Sequence, residues 1–249
     1  MALDRAEPAK KLKIRKMLLR KVMYLSQRIA AGTSGTYKTC VTEYRPGLDE
    51  IDVERTLEEQ LGHCRFEAED IYCREKIRQE RGYVLLLDVS NSMHKEKIAI
   101  GAIATGVFAS KLRKDRHGVV AFAADARTIK PMTEANNLER LMDRMLDIQS
   151  GGATNMRKAL LKGLEIFEES EYRQKRGIIV TDGRATLGGD PVETASKYDR
   201  LDVMGLSFGL GGSDPSTNAL MAKKGKGRYM YIKKFDDLPM AISRILSGK

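Results

Sequence analysis

Two hydrophobic patterns divide the chain near residue 82. Before it, apolar positions are sparse and helically spaced. Ile14, Leu18, Val22, Leu25 and Ile29 fall on one side of a helix with Lys and Arg on the other, which predicts an amphipathic helix over 8–30. Ala-Gly-Thr-Ser-Gly (31–35) ends it, and residues 35–50 read as loop, with Pro46-Gly47 as a turn signal. Asp52 precedes a second helix that Gly62 terminates, and the charged stretch 66–80 predicts a third. From Tyr83 the pattern changes. Tyr83-Val84-Leu85-Leu86-Leu87 is a continuous apolar run, as expected of a strand covered on both faces of a parallel sheet. Strands follow at 119–122, 127–129, 177–180, 203–208 and 228–232. Helices are predicted at 97–113, 137–148, 156–169, 216–224 and 237–247.

Strands alternating with helices predict an α/β fold, a doubly wound and mostly parallel Rossmann-like sheet with an N-terminal helical extension. The expected division is a basic, mainly helical extension over 1–81 and an α/β domain over 82–249. In such a sheet, ligands bind in the loops at the carboxyl ends of strands.

Charge sharpens this division. Of the net +10, residues 1–45 carry +8, from eleven Lys/Arg against three acids. The basic helix has three readings: a solvated helix packed on the domain, a dock for an acidic partner, or a contact with nucleic acid or anionic membrane. Tyr24 is its only aromatic residue, which argues against base stacking and makes nucleic acid the weaker partner class. Three cysteines, Cys40, Cys64 and Cys73, give no disulfide framework and fit a reducing compartment. No apolar run reaches the roughly 18–20 residues of a membrane span. The N-terminus is too polar for a secretory signal. A cytoplasmic location is the expectation.

Three loops gather the candidate chemistry. Asp88-Val89-Ser90-Asn91-Ser92 follows the first buried strand, Gly151-Gly152-Ala153-Thr154-Asn155 precedes a helix, and Thr181-Asp182-Gly183 follows the strand Gly-Ile-Ile-Val. Asp88, Ser90, Ser92, Thr154 and Asp182 offer two carboxylates and three hydroxyls, the oxygen donors that hard divalent cations take. Asp and Ser also serve as ordinary turn and cap residues, but three converging loops favour a site.

The three motifs in this order resemble the metal-ion-dependent adhesion site of von Willebrand factor A domains. The resemblance runs from Tyr83 to the C-terminus. It implies that Ser90 and Ser92 bind the metal through hydroxyls, that Thr154 binds directly in one state, and that Asp88 and Asp182 act through waters or serine hydroxyls. Mg²⁺ is the expected ion, with Mn²⁺ as an alternative. Neutral ligands leave the ion's charge poorly compensated, so a free position favours a partner's carboxylate. That describes a binding module rather than an enzyme. Asn91 departs from the glycine common in the family but removes no ligand.

The stretch Tyr44–Gly62, followed by Glu69–Met93, resembles the entry segment of A-domain proteins that work with MoxR-type AAA+ ATPases. Val180-Thr181-Asp182-Gly183-Arg184-Ala185-Thr186 is similar to the A-domain end of magnesium-chelatase D subunits. The resemblance implies an adaptor between a separate ATPase and an acidic client, in metalloenzyme maturation or cofactor insertion. The chain has no Walker A motif of its own. The alternatives are a nucleic-acid-binding protein that uses the basic arm and a chelatase-like subunit.

Other signals carry less. Residues 208–214 are Gly-rich but lack a P-loop Lys-Ser/Thr, so a tight connection is expected there. His63, Cys64 and Cys73 lack zinc spacing. His94 and His117 are expected at the surface or as caps, and no G-x-S-x-G surrounds a serine.

Overall fold

β3, Gly82–Asp88, is buried at every position, and alternate side chains enter different cores. In this computed structural model the described residues are 8–29, 36–48, 50–60, 70–79, 81–93, 95–170, 172, 174–183, 185–207 and 214–247. β3 runs parallel to β4 (Arg116–Phe122) on one side and β6 (Arg176–Thr181) on the other. β7 (Arg200–Leu206) and β8 (Lys226–Ile232) extend the sheet in parallel, and β5 (Ala126–Lys130) closes the far edge antiparallel. The six-stranded order is β5-β4-β3-β6-β7-β8.

Tyr83, Leu85 and Leu87 pack with α3 (Lys95–Lys111), α4 (Leu138–Leu146) and α8 (Leu238–Ser247). Val84 and Leu86 face α5 (Met156–Glu168), α6 (Pro191–Ala195) and α7 (Pro215–Lys224). The doubly wound α/β expectation is therefore met. Five-residue α6, capped by Asp190 Oδ1 accepting from Val192 N–H at 2.8 Å, is too short to show a period in sequence.

The chain forms two compact units, Met1–Ser34 with Arg81–Lys249, and Gly35–Glu80. The expected extension over 1–81 is therefore not one body. Its first helix, α1 (Pro8–Arg28), belongs to the larger unit. Val22, Leu25 and Ile29 join the core beside α3 and α4, each worth about 1.5–3 kcal/mol when fully buried. Arg15 Nη1 donates to both carboxylate oxygens of Asp143 of α4, at 2.8 and 3.1 Å. Gly106 of α3 makes the approach possible, since a Cβ there would lie 2.9 Å from Val22 Cγ2. The basic helix is thus packed on the domain through its apolar stripe.

The smaller unit corrects two expectations. Residues 35–50, read as loop, contain strand β1 (Thr36–Glu43), and 66–80, read as helix, contain strand β2 (Tyr72–Gln79). The two pair antiparallel from Thr36↔Gln79 to Glu43↔Tyr72. Local propensity misleads at β2, where Arg74, Glu75, Lys76 and Arg78 favour helix, and cross-strand pairing overrides them. The expected helix after Asp52 is present as α2 (Val53–Gln60). Asp52 accepts from Arg55 N–H at 3.2 Å and pairs with Arg74 at 2.9 Å. Residues 31–35, His63, Cys64, 66–69, His94 and 208–213 lie outside the described residues.

His117 corrects a further expectation. It is buried on β4 rather than exposed, and burial together with the Lys130 ammonium lowers its pKa to about 3. Among the described residues, no helix is long and apolar enough to cross a membrane.

Candidate metal site

Sheet order positions the site. The chain leaves β3 toward β4 on one side, while β6, β7 and β8 lie on the other. Loops after β3 and β6 therefore separate above the centre of the sheet, leaving the crevice where doubly wound folds bind ligands. Asp88 ends β3, and Asp182 directly follows Thr181, the last residue of β6.

Backbone hydrogen bonds clasp the first two loops together. Gly151 N–H donates to Val89 O at 3.0 Å, and Asn91 N–H donates to Gly152 O at 3.0 Å. Gly152 has a φ of +87°, which L side chains rarely adopt. The third loop turns at Gly183, whose φ is +83°. A Cβ there would meet the Asn218 amide at 2.5 Å.

Side chains continue the convergence. Ser90 N–H donates to Asp88 Oδ1 at 2.9 Å, and the Ser90 and Ser92 hydroxyls are 3.1 Å apart. Ser92 Oγ donates to Asp182 Oδ1 at 3.1 Å. Four of the five expected residues thus form one hydrogen-bonded chain. Thr154 is also buried, and its loop is tied down through its backbone. Thr154 N–H donates to Thr186 Oγ1 at 2.8 Å, while Thr154 O accepts from Thr186 and Leu187 N–H. Among the described residues, no hydrogen bond joins the Thr154 hydroxyl to Ser90, Ser92 or Asp182.

Two participants escape a reading of the motif alone. Thr181 donates its hydroxyl to Asp88 Oδ2 at 2.5 Å. Lys97, in the first turn of α3, places its ammonium 3.1 Å from Asp182 Oδ2 and 3.3 Å from Ser92 O. Both side chains of this ion pair are buried, at 1% and 0% exposure. Thr181 could have been read from its place between strand and carboxylate. Lys97 leaves only a weak trace, a lysine five residues after Ser92 at the head of an apolar helix.

Burial is the largest influence on Asp88 and raises its pKa to about 6. Hydrogen bonds from Ser90 and Thr181 oppose that shift. A buried carboxylate disfavoured as an anion gains most from a nearby cation.

The sequence model of the von Willebrand factor type A domain matches residues 84–244. The chain belongs to this family. Solved structures agree on the fold. BatB from Bacteroides thetaiotaomicron is 21% identical with a TM-score of 0.55, covering 68% of this chain and 98% of that one. A mussel byssus proximal thread matrix protein, described with a zinc-occupied adhesion-site motif, is 18% identical with a TM-score of 0.56. That match covers 67% of this chain and 47% of that one. Manganese-loaded TRAP from Plasmodium vivax is 19% identical with a TM-score of 0.54, covering 68% and 74%. No curated protein sequence matches the chain.

The donor set of this type A domain suits a hard divalent cation. Asp88, Ser90, Ser92 and Asp182 present only oxygen. No cluster of three or more His, Cys, Asp or Glu side chains is placed to hold a metal among the described residues, so soft or imidazole-rich coordination has no support there. Cys73 is a buried free thiol on β2. A cleft of about 990 Å³ opens beside the clasped loops, with Val89, Ala123, Arg127, Arg144 and Gly151 in its walls.

Proposed function

We propose that this type A domain is a metal-dependent interaction module. Ser90 and Ser92, with Thr154, supply hydroxyls to one Mg²⁺ or Mn²⁺, and Asp88 and Asp182 orient them through hydrogen bonds and water. An ion held there would accept a carboxylate from a partner protein. The observation that carries this reading is the hydrogen-bonded chain Asp88–Ser90–Ser92–Asp182 at the centre of the sheet. Serine hydroxyls are neutral, so they leave positive charge on the ion for an acidic ligand. The adjoining cleft gives the partner's chain room to approach.

The module serves as an adaptor for a separate MoxR-type AAA+ ATPase and passes ring motion to an acidic client during metalloenzyme maturation or cofactor insertion. Support for this step is the resemblance of residues 44–62 and 69–93 to the entry segments of such partners. Free Cys40 and Cys73 are compatible with work in the cytoplasm.

Calorimetric titration with Mg²⁺ tests the site. The native chain binds, and Asp88→Ala and Ser90→Ala each weaken binding by at least about tenfold. Unchanged binding in both variants would overturn the assignment. Chelator-sensitive copurification with a ring ATPase tests the adaptor role.

A further inference from the structure

Among the described residues, a cation already present in the site is Lys97. A buried ammonium is costly unless paired, and Lys97 is paired with one of the two carboxylates that serve the metal reading. It donates to Asp182 Oδ2 at 3.1 Å while Ser92 Oγ donates to Oδ1 of the same group at 3.1 Å. Its 1% exposure keeps water from screening its charge. Its bond to Ser92 O at 3.3 Å ties the ammonium to the serine loop as well.

Asp88 and Asp182 bring two negative charges when both are ionised, and Lys97 brings one positive charge. The Lys97 ammonium on Asp182 offsets part of the negative charge that attracts a divalent cation, and a carboxylate from outside restores it. Without Lys97 the carboxylates would hold a dication more tightly, and an external acid would add less to its binding.

We infer that Lys97 is a tethered internal cation that weakens metal binding by the free domain and makes it depend on simultaneous capture of an acidic ligand. The inference rests on the metal-dependent reading above and adds its regulation. Metal and carboxylate binding are linked equilibria, so each raises the other's affinity by the same factor. Lys97 acts through Asp182 and the local charge and touches neither ligand. A lysine serving only to support the fold would affect stability and leave this linkage alone.

The experiment titrates Mn²⁺ into the full chain, followed by calorimetry and by the loss of free-Mn²⁺ paramagnetic signal. Titrations are run with and without a saturating capped Gly-Asp-Gly peptide. In the native chain the peptide raises Mn²⁺ affinity by at least about tenfold. Lys97→Met binds Mn²⁺ without peptide at least about tenfold more tightly than the native chain, the direction expected when a like charge resting on a carboxylate of the site is removed. The peptide's effect shrinks in the variant, whereas Lys97→Arg keeps native behaviour. If Lys97→Met does not fold, Lys97→Gln replaces it, and the peptide effect in the native chain still tests the linkage. Native or weaker Mn²⁺ affinity in the neutral variant overturns the inference, as does a native chain indifferent to peptide. A native chain that binds no Mn²⁺ with or without peptide overturns the metal reading itself.

Discussion

Asp88 is the residue on which the site turns, because it is buried and yet supplied with two hydrogen bonds. Ser90 N–H and the Thr181 hydroxyl hold its oxygens in place. Thr181→Val removes one donor while keeping the side chain's shape. The buried acceptor then loses its partner, and stability falls by about 1–3 kcal/mol. Mg²⁺ affinity falls by about 10–100-fold, as is usual when a hydrogen bond orienting a metal site is lost. Urea melts and Mg²⁺ titration of the same protein check both outcomes. Sequence spacing exposed Asp88, Ser90, Ser92 and Asp182, since each lies in a motif at a strand end. It could not expose Lys97, which reaches Asp182 from 85 positions away along the chain.

At the scale of elements, α1 and the β1–β2 ribbon show opposite outcomes for the N-terminal region. The spacing of Val22, Leu25 and Ile29 predicted a buried stripe, and all three are at most 2% exposed. Leu25→Ala therefore costs about 2–5 kcal/mol in a chemical denaturation experiment, whereas Met23→Ala, on the exposed side at 58%, changes stability by less than about 0.5 kcal/mol. An equal effect of the two would show that α1 contributes nothing to the core. The ribbon was hidden because β1 and β2 are not joined by a tight turn. The chain between them includes α2, and strands far apart in sequence leave no hairpin signal.

Across the whole molecule, stability depends on pH through His117. Its pKa in the fold is about 3, below the 6.5 of an ordinary imidazole, because the fold buries it near Lys130. The unfolded chain therefore takes up the proton first. His117's contribution is fully present above pH 6.5 and is lost as pH falls toward 3, at up to about 1.4 kcal/mol per pH unit. Denaturation of the native chain and of His117→Leu at pH 7, 5.5 and 4.5 checks this, with the variant losing less stability on acidification. Sequence alone determined the doubly wound class, because strands buried on both faces must be apolar throughout and their helices must keep a covered stripe. It also determined the oxygen-donor chemistry of the loops, since local motifs contain their own donors. Tertiary structure decided which partners those donors meet. Strand order brought the ends of β3 and β6 together, packing placed Lys97 on Asp182, and pairing turned a charged helix-like segment into β2. These outcomes depend on contacts between residues far apart in the chain, whose energies no local pattern records.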